Sequence, residues 1–453
     1  MRGRKWNGAL VCVVGGLVLT GGCATAPAEL AGPTDVRITE LAPEVLDALA
    51  DRVAERLRAD RQPPARVIGL GGSGGGFGLR GGRRSAPRIT QPVRPKRPSA
   101  RLAPVPTVDP VPAEPLETRT LKRVATAIDT SLEWLASQQA EDGSWRAERM
   151  GGEANYTPGI TGLITLAFLE AGHTHVSGKH KEQVKNGLRY LKSIQDAEGC
   201  FGPRVSQHFM YNHAGGALAM VEAYKLTESK LFERPAQMAV NFVQQAQNPY
   251  MGWRYGVRDG DNDTSVTGWM THVLARARGT LEVDANAFKG ALSWIEKMTE
   301  PEFGRTGYQQ RGGQPARTTE MMERFPAQHS EALTAIGVLV RLDAGGKPNA
   351  DANVQKGAKL VSAKLPIWAP KSGTIDFYYW HWGTLAMARV GGDGWLRWQR
   401  ALVRALLEGQ DTAVSARGSW PADGPWGTIG GRYYTTALST LALQEVLTRS
   451  KAQ

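Results

Sequence analysis

The side chains in this chain that carry chemistry are a handful of histidines, carboxylates and tyrosines: His213, His329, Glu331, Asp376, Tyr379, His381 and Tyr434. His329 and His381, with Glu331 and Asp376 close to them in sequence, form the one credible metal cluster, because imidazole and carboxylate together are zinc donors. Lone histidines at helix starts are usually capping or packing residues. The residues therefore favour a hydrogen-bonded network over a metal. No cofactor is expected, and zinc enters only through His329 and His381.

What places these residues together is a repeat. Residues 131–145 open with Leu132, Trp134 and Leu135 at helical spacing, pass Gln138 and Gln139, and turn at Asp142-Gly143 to reach Trp145. Echoes follow at Gln195…Phe201, at Gln244-Gln245…Trp253, and at Trp294-Ile295…Phe303-Gly304. A self-similar unit of this size points to stacked supersecondary units. Aligning the second helix of each unit on a small residue selects Gly162, Gly215, Gly268, Ala332, Gly383 and Ala437. Their spacings are 53, 53, 64, 51 and 54 residues, with one insertion near 299–325.

Six hairpins with a small residue at one level predict an all-α chain closed into an (α/α)6 toroid, its inner helices crowded around an axis. Caps are expected from Thr157 before Pro158, and from Asn212, Asp263, Ser330 and Thr435. Counting back two from each small residue gives Ile160, His213, Val266, Ser330, His381 and Thr435. The adjoining level gives Asn212, Ser265, His329, Trp380 and Tyr434. All of these are expected in first turns facing one mouth, where unpaired helix N–H groups favour an anion. Dense aromatics nearby (Tyr156, Tyr211, Trp253, Tyr255, Trp269, Tyr308, Tyr378, Trp382, Tyr433) suit an elongated apolar ligand or a sugar stacked on a ring, or else fill seams between repeats.

The leading part of the chain reads differently. Arg2, Arg4 and Lys5, an apolar run over 10–19, and Thr20-Gly21-Gly22 before Cys23 form an export signal over 1–22. The site resembles the lipobox of bacterial lipoproteins, which implies that Cys23 is lipidated and that the protein sits in the bacterial cell envelope, held on the membrane by its lipid. With Cys12 removed and Cys23 anchored, only Cys200 remains, so the mature chain forms no internal disulfide. Residues 23–62 carry an amphipathic helix with Leu46, Leu49, Val53 and Leu57 on one stripe. Residues 63–118 are a Gly/Pro/Arg-rich disordered linker. Eleven Lys/Arg against three Asp/Glu between 61 and 120 account for most of the whole-chain charge of +12, so the basic character belongs to the tether. Phe77 is the lone aromatic among those basic residues, and nucleic acid is not an expected partner. The toroid itself is expected over 119–449.

The segment WLASQQAEDGSW resembles the Gln–Trp repeat of squalene–hopene and oxidosqualene cyclases, and the ring of hairpins is similar to the β subunits of protein prenyltransferases. The resemblance implies a central cavity and an apolar or isoprenoid-like ligand. Cyclases protonate an alkene with a DxDDT acid cluster. Asp259-Gly260-Asp261-Asn262-Asp263-Thr264 occupies the matching place, which makes Asp261 and Asp263 the candidate acids, with Asn262 where the family has its catalytic Asp. The transferases' zinc ligands are kept only in part: Asp376 and His381 stand in a DFYYWH stretch, and the Asp-x-Cys partner is absent. Helical toroids also occur among polysaccharide lyases, for which His381 and Tyr434 would be base and acid. Three functions stay open: binding of an apolar ligand, peptide or glycan without turnover; a divergent terpenoid cyclase or prenyltransferase; and a cell-surface carbohydrate-active enzyme or glycan-binding protein.

Overall fold

The computed structural model describes residues 102–451, apart from 108 and 206–207, together with two short strands near the start. The chain divides into two units, Met1–Val93 and Arg94–Gln453. In the first, β1 (Val11–Val14) pairs antiparallel with β2 (Leu17–Thr20), Val11 opposite Thr20. Cys23, the amphipathic helix and the linker up to 101 lie outside the described residues. No helix among the described residues is long and apolar enough to cross a membrane.

The second unit is helical. The odd-numbered elements at the start are outer helices: α1 (Thr118–Ser137), α3 (Lys181–Ser193), α5 (Lys230–Ala246) and α7 (Ala285–Met298). Each buries one stripe, as α1 does through Val124, Ile128, Leu132 and Leu135. Between them run α2 (Thr157–Glu170), α4 (Phe209–Thr227) and α6 (Thr264–Ala277), which are buried nearly all round. A helix apolar on every side belongs in an interior. After the short α8 (Thr319–Arg324), the alternation resumes: inner α9 (Ala332–Asp343), outer α10 (Ala352–Ser362), inner α11 (Phe377–Val390), outer α12 (Gly392–Gly409) and inner α13 (Gly427–Lys451), kinked at Gly431. The inner helices pack in the circuit α2–α4–α6–α9–α11–α13 and back to α2, so the ring is closed.

Glycine makes this packing possible where backbones meet. A Cβ on Gly162 would lie 2.2 Å from the Gly215 carbonyl carbon, and one on Gly215 would lie 2.4 Å from Gly159 O. At Gly268 and Gly383 the space is taken instead by side chains, Ile336 of the next inner helix and Trp398 of an outer one. The aligned small residues thus serve more than one kind of contact.

The recurring turn has a defined mechanism. Trp145 donates its indole N–H to Leu135 O (2.7 Å), and its backbone N–H goes to Thr161 Oγ1 of the following inner helix (3.0 Å). Trp253 repeats both bonds, to Val243 O (2.7 Å) and Thr267 Oγ1 (3.1 Å), as does Trp420, to Leu406 O (2.8 Å) and Thr436 Oγ1 (3.1 Å). Each indole therefore adds a donor to a carbonyl in the last turn of its outer helix, where backbone donors run out. A glutamine six residues before the aromatic ties one repeat to the next. Gln139 Nε2 donates to Gly143 O and Gln183 O, Gln195 to Gly199 O and Pro235 O, and Gln247 to Met251 O and Ala287 O, all between 2.7 and 3.1 Å.

Two features decorate the ring. Residues 299–325 carry the extra length of the fourth repeat and are seated on the start of α6, where Thr264 donates to Gly307 O (2.6 Å) and Gln309 to Asn262 O (3.1 Å). Residues 102–117, expected as disordered linker, lie on the wall of the toroid. Ala103 N–H donates to Lys371 O (2.9 Å), Ser372 to Pro104 O (2.9 Å), and Arg400 to Pro115 O (3.4 Å).

Candidate ligand-binding site at the mouth of the toroid

The inner helices all begin on one face, and their first turns differ from expectation by a turn or less. Asp263 caps α6 as expected, accepting from Val266 N–H (2.7 Å), and Ser330 Oγ accepts from Ala332 N–H (3.4 Å). Asp376 caps α11 through Tyr379 N–H (3.0 Å). Asn212 and Thr435 are inside their helices, because α4 and α13 start earlier than the pattern suggests. Asn212 still acts at a helix start, that of α2, accepting from Gly159 N–H at 3.1 Å. Thr157 is the first residue of α2 and its hydroxyl accepts from Ala147 N–H (3.1 Å).

Each repeat contributes one tyrosine to this face: Tyr156, Tyr211, Tyr255, Tyr308, Tyr378 and Tyr434. Their contacts run almost around the ring. His208 lies 5.3 Å from Tyr156, 6.5 Å from Tyr211 and 5.7 Å from Tyr255 between ring centres. The hydroxyls of Tyr255 and Tyr308 are 2.7 Å apart. Tyr211 donates to Ser265 Oγ (3.0 Å), which is 2.7 Å from the Tyr378 hydroxyl. Tyr434, the sixth, stands near the start of α13, the inner helix that packs between α11 and α2. Five of the six residues are half-buried and Tyr378 is 9% exposed, and the contacts among them hold the rings in place. Burial holds the six hydroxyls protonated, well above the usual phenol range for Tyr211 and Tyr434.

Two ion pairs flank the tyrosines. Arg317, from the long insertion, is buried against Asp376 at 2.7 Å. Arg254 stacks over Tyr255 (4.9 Å) and pairs through Nη1 with the exposed Asp261 at 3.2 Å. Asp263 is fully buried, and burial pushes its carboxyl up to about 7 despite the opposing pull of the Val266 N–H and Arg254. Its Oδ2 lies 3.8 Å from Arg254 Nε, and neither atom has a hydrogen-bond partner within the protein.

Below the mouth the inner helices enclose a small cavity. Its volume is about 30 Å³; it is lined by Leu163, Leu218, Trp269, His272, His381 and Leu385, and ends among Glu170, Arg276 and Glu445. Space of this size holds a water or two. Arg276 closes that end, bonded to Glu170 and at 2.6 Å to Glu222.

The structure separates the residues that sequence placed together. His381 lies one turn below Tyr378, in the axial cavity, stacked on Trp269 (5.9 Å) and pushed down to about 4 by burial. His213 points outward instead of into the mouth. It accepts from Phe201 N–H (3.3 Å), is 3.2 Å from Ala239 O, packs on Phe242, and is depressed to about 3 by burial. Glu331 is enclosed by Arg305 (2.8 Å), Lys364 (2.7 Å) and the Thr334 hydroxyl (2.8 Å), which hold its carboxyl below the usual range despite the opposing effect of burial. Tyr379 turns to the outer layer, its hydroxyl donating to Val361 O and Lys364 O. His329 contacts Gly373 O (3.2 Å). Among the described residues, no group of three or more His, Cys, Asp or Glu is arranged to hold a metal; His329 is against Gly373 O and His381 against Trp269. Of the expected mouth residues, Tyr434 and Asp376 are there, together with the candidate acid Asp263; Asp261 sits on the surface beside Arg254. His208, Arg254 and Arg317 were missed. They precede the inner helices or sit in the insertion, where no repeat position marks them.

No protein-family model matches the chain, and no curated protein matches it in sequence. Solved structures do match in backbone. An inactive variant of an α-1,6-mannanase of Salegentibacter, in complex with α-1,6-mannotriose, is 11% identical over 73% of this chain and 100% of its own, with a TM-score of 0.50. A type II terpene cyclase from Scytonema in complex with merosterolic acid A is 14% identical over 74% and 100%, at 0.45. An alpha-amylase from Clostridium perfringens is 13% identical over 71% and 97%, at 0.46. The chain is an α/α toroid. At such identities the likeness concerns the fold alone, which hosts unrelated chemistries.

Proposed function

We propose that this toroid is the ligand-binding module of an envelope protein held on the membrane by a lipid at Cys23, and that its mouth binds a carbohydrate. The observation that carries this reading is the circuit of six tyrosines, one per repeat, around a buried carboxylate and a guanidinium. Ring faces stack on the apolar face of a sugar, and hydroxyls at their edges pair with its hydroxyls. An isoprenoid or other long apolar ligand is less well served: a binding cavity for such a molecule is typically about 300–1,000 Å³, and the axial space is about 30 Å³. The test is a glycan array probed with the purified protein, alongside Tyr434→Ala. Binding that weakens in the variant supports the reading; no binding to any glycan sinks it.

A second reading is turnover. A carboxyl whose pKa is raised towards neutrality suits proton donation, and burial pushes that of Asp263 up to about 7. Incubation with squalene and polyprenyl diphosphates decides it. Product that disappears in Asp263→Asn would establish an enzyme.

A further inference from the structure

We infer that the outer wall of the ring carries a second site, independent of the mouth: a groove at the seam between the last repeat and the first that binds a zwitterion, a phosphate joined by a short linker to an ammonium. The groove lies between α1 and α12 and has a volume of about 370 Å³. Cavities that hold small molecules typically measure about 300–1,000 Å³, whereas the axial space is about 30 Å³. Leu116, Val403 and Leu407 give the groove its apolar surface. Charges of both signs line it as well: Glu117 and Arg123 from the α1 side, and Arg400, Arg404 and Glu408 from α12.

How these charges are paired points to the ligand. Arg400 is already engaged, reaching Glu114 at 3.6 Å and donating to Pro115 O at 3.4 Å. Glu117, Arg123, Arg404 and Glu408 are exposed, and their side chains form no ion pair or hydrogen bond among the described residues. Two guanidiniums and two carboxylates thus share one groove without meeting. Arg404 precedes Glu408 by four residues, which is the weaker order for pairing along a helix. A lone anion is drawn by the arginines and repelled by the glutamates, and a lone cation the reverse. A molecule with both charges is held at both ends. Arg404 and Glu408 stand one turn apart, with Cβ atoms about 5–6 Å from each other, so a phosphate and an ammonium two carbons away reach both. The guanidinium fork takes two phosphate oxygens, and the carboxylate accepts the ammonium's N–H groups. Arg123 and Glu117 offer the same pair of functions from the facing wall. Phosphatidylethanolamine headgroups and soluble phosphoethanolamine diesters share this chemistry.

Titration calorimetry of the purified full-length protein at pH 7 tests this with glycerophosphoethanolamine, inorganic phosphate and ethanolamine. The diester is expected to bind about tenfold tighter, or more, than either fragment, the scale of one hydrogen bond to a charged group. Arg404→Gln and Glu408→Gln alter exposed side chains, so melting curves should stay within a few degrees of wild type, and each should weaken the diester by about tenfold. Hydrogen exchange separates the two sources. Slower exchange over 117–123 and 400–408 in phosphatidylcholine vesicles only when phosphatidylethanolamine is added, a headgroup with N–H donors where choline has none, assigns the site to lipid. The same protection from the soluble diester alone assigns it to a free ligand. Phosphate that binds as tightly as the diester, or binding that Glu408→Gln leaves intact, overturns the zwitterion. Binding of neither diester nor lipid removes the site, and in every case the carbohydrate reading of the mouth is untouched.

Discussion

Gln410 Nε2 donates to the backbone carbonyl of Ala127 at 2.8 Å, joining residues 283 apart in the chain. The same amide reaches Gly418 O at 2.9 Å in its own turn. Gln139, Gln195 and Gln247 make the matching pair of bonds between successive repeats, so the last repeat is fastened to the first by the joint used elsewhere in the ring. Ser131 and Thr440 (2.8 Å), and Gln444 with Ala167 O (2.7 Å), reinforce the seam.

Gln410→Ala should therefore act on closure. Two half-buried carbonyls each lose one donor, at up to about 1 kcal/mol each. Urea unfolding is expected to show a loss of about 1–2 kcal/mol. Hydrogen exchange should rise first in α1 and α13, and uniform exchange around the ring would count against a closure role.

Arg276 fixes the far end of the axis. Replacing it with Met leaves Glu170 and the almost fully buried Glu222 facing each other without their shared cation. Removing one partner of a buried pair costs about 3–5 kcal/mol; since a quarter of Arg276 is in solvent, the lower end is expected. Thermal denaturation reads this directly, and an unchanged melting point would show that the pair is idle.

The Asp263 carboxyl gives a pH signature. Burial raises its folded pKa to about 7, above the value of about 3.9 expected when unfolded. Between these values the folded state holds the proton and the unfolded state does not. The contribution is thus full below pH 4 and is lost as pH rises towards and through 7. Relative to wild type, Asp263→Asn should gain stability steadily from pH 4 to pH 8, on the order of a few kcal/mol. A stability difference that stays flat across that range would mean the carboxylate is ionised throughout.

Tyr379→Phe separates the seam from the mouth. Its hydroxyl bonds Val361 O in the last turn of α10 and Lys364 O just beyond it, and its ring packs on Trp398 at 5.4 Å. The variant should lose about 1–2 kcal/mol and bind ligand normally, whereas Tyr434→Ala should impair binding. A binding defect in Tyr379→Phe would place that residue at the opening after all.

Lipidation at Cys23 is open to labelling. Cys23→Ser should abolish incorporation of radiolabelled palmitate and release the protein from the membrane fraction. Retention with no label would point to another means of attachment.

The architecture was legible because its signals are periodic. Glycines that permit close backbone approach and a Gln–Gly–Trp turn recur at a steady interval, and both are demanded by the joint they make. The site was harder to read because helical phase decides it. Successive residues on a helix are about 100° apart, so Tyr378 faces the axis while Tyr379 faces the outer layer. His381, three residues on from Tyr378, returns to the axis a turn deeper. His213 was misplaced because α4 begins at Phe209, which puts it in the second turn and aims it at Phe242. Arg254 and Arg317 lie outside the helices, where no period exists to betray them.

The ordered strap at 102–117 has a mechanical consequence. Its first bonds are to Lys371 and Ser372, in the turn that leads into α11 beside the opening, and its last are to Arg400 on the side wall. Any pull from upstream along the polypeptide is delivered first at the rim beside the start of α11, through Lys371 and Ser372, and not at the end that Arg276 closes.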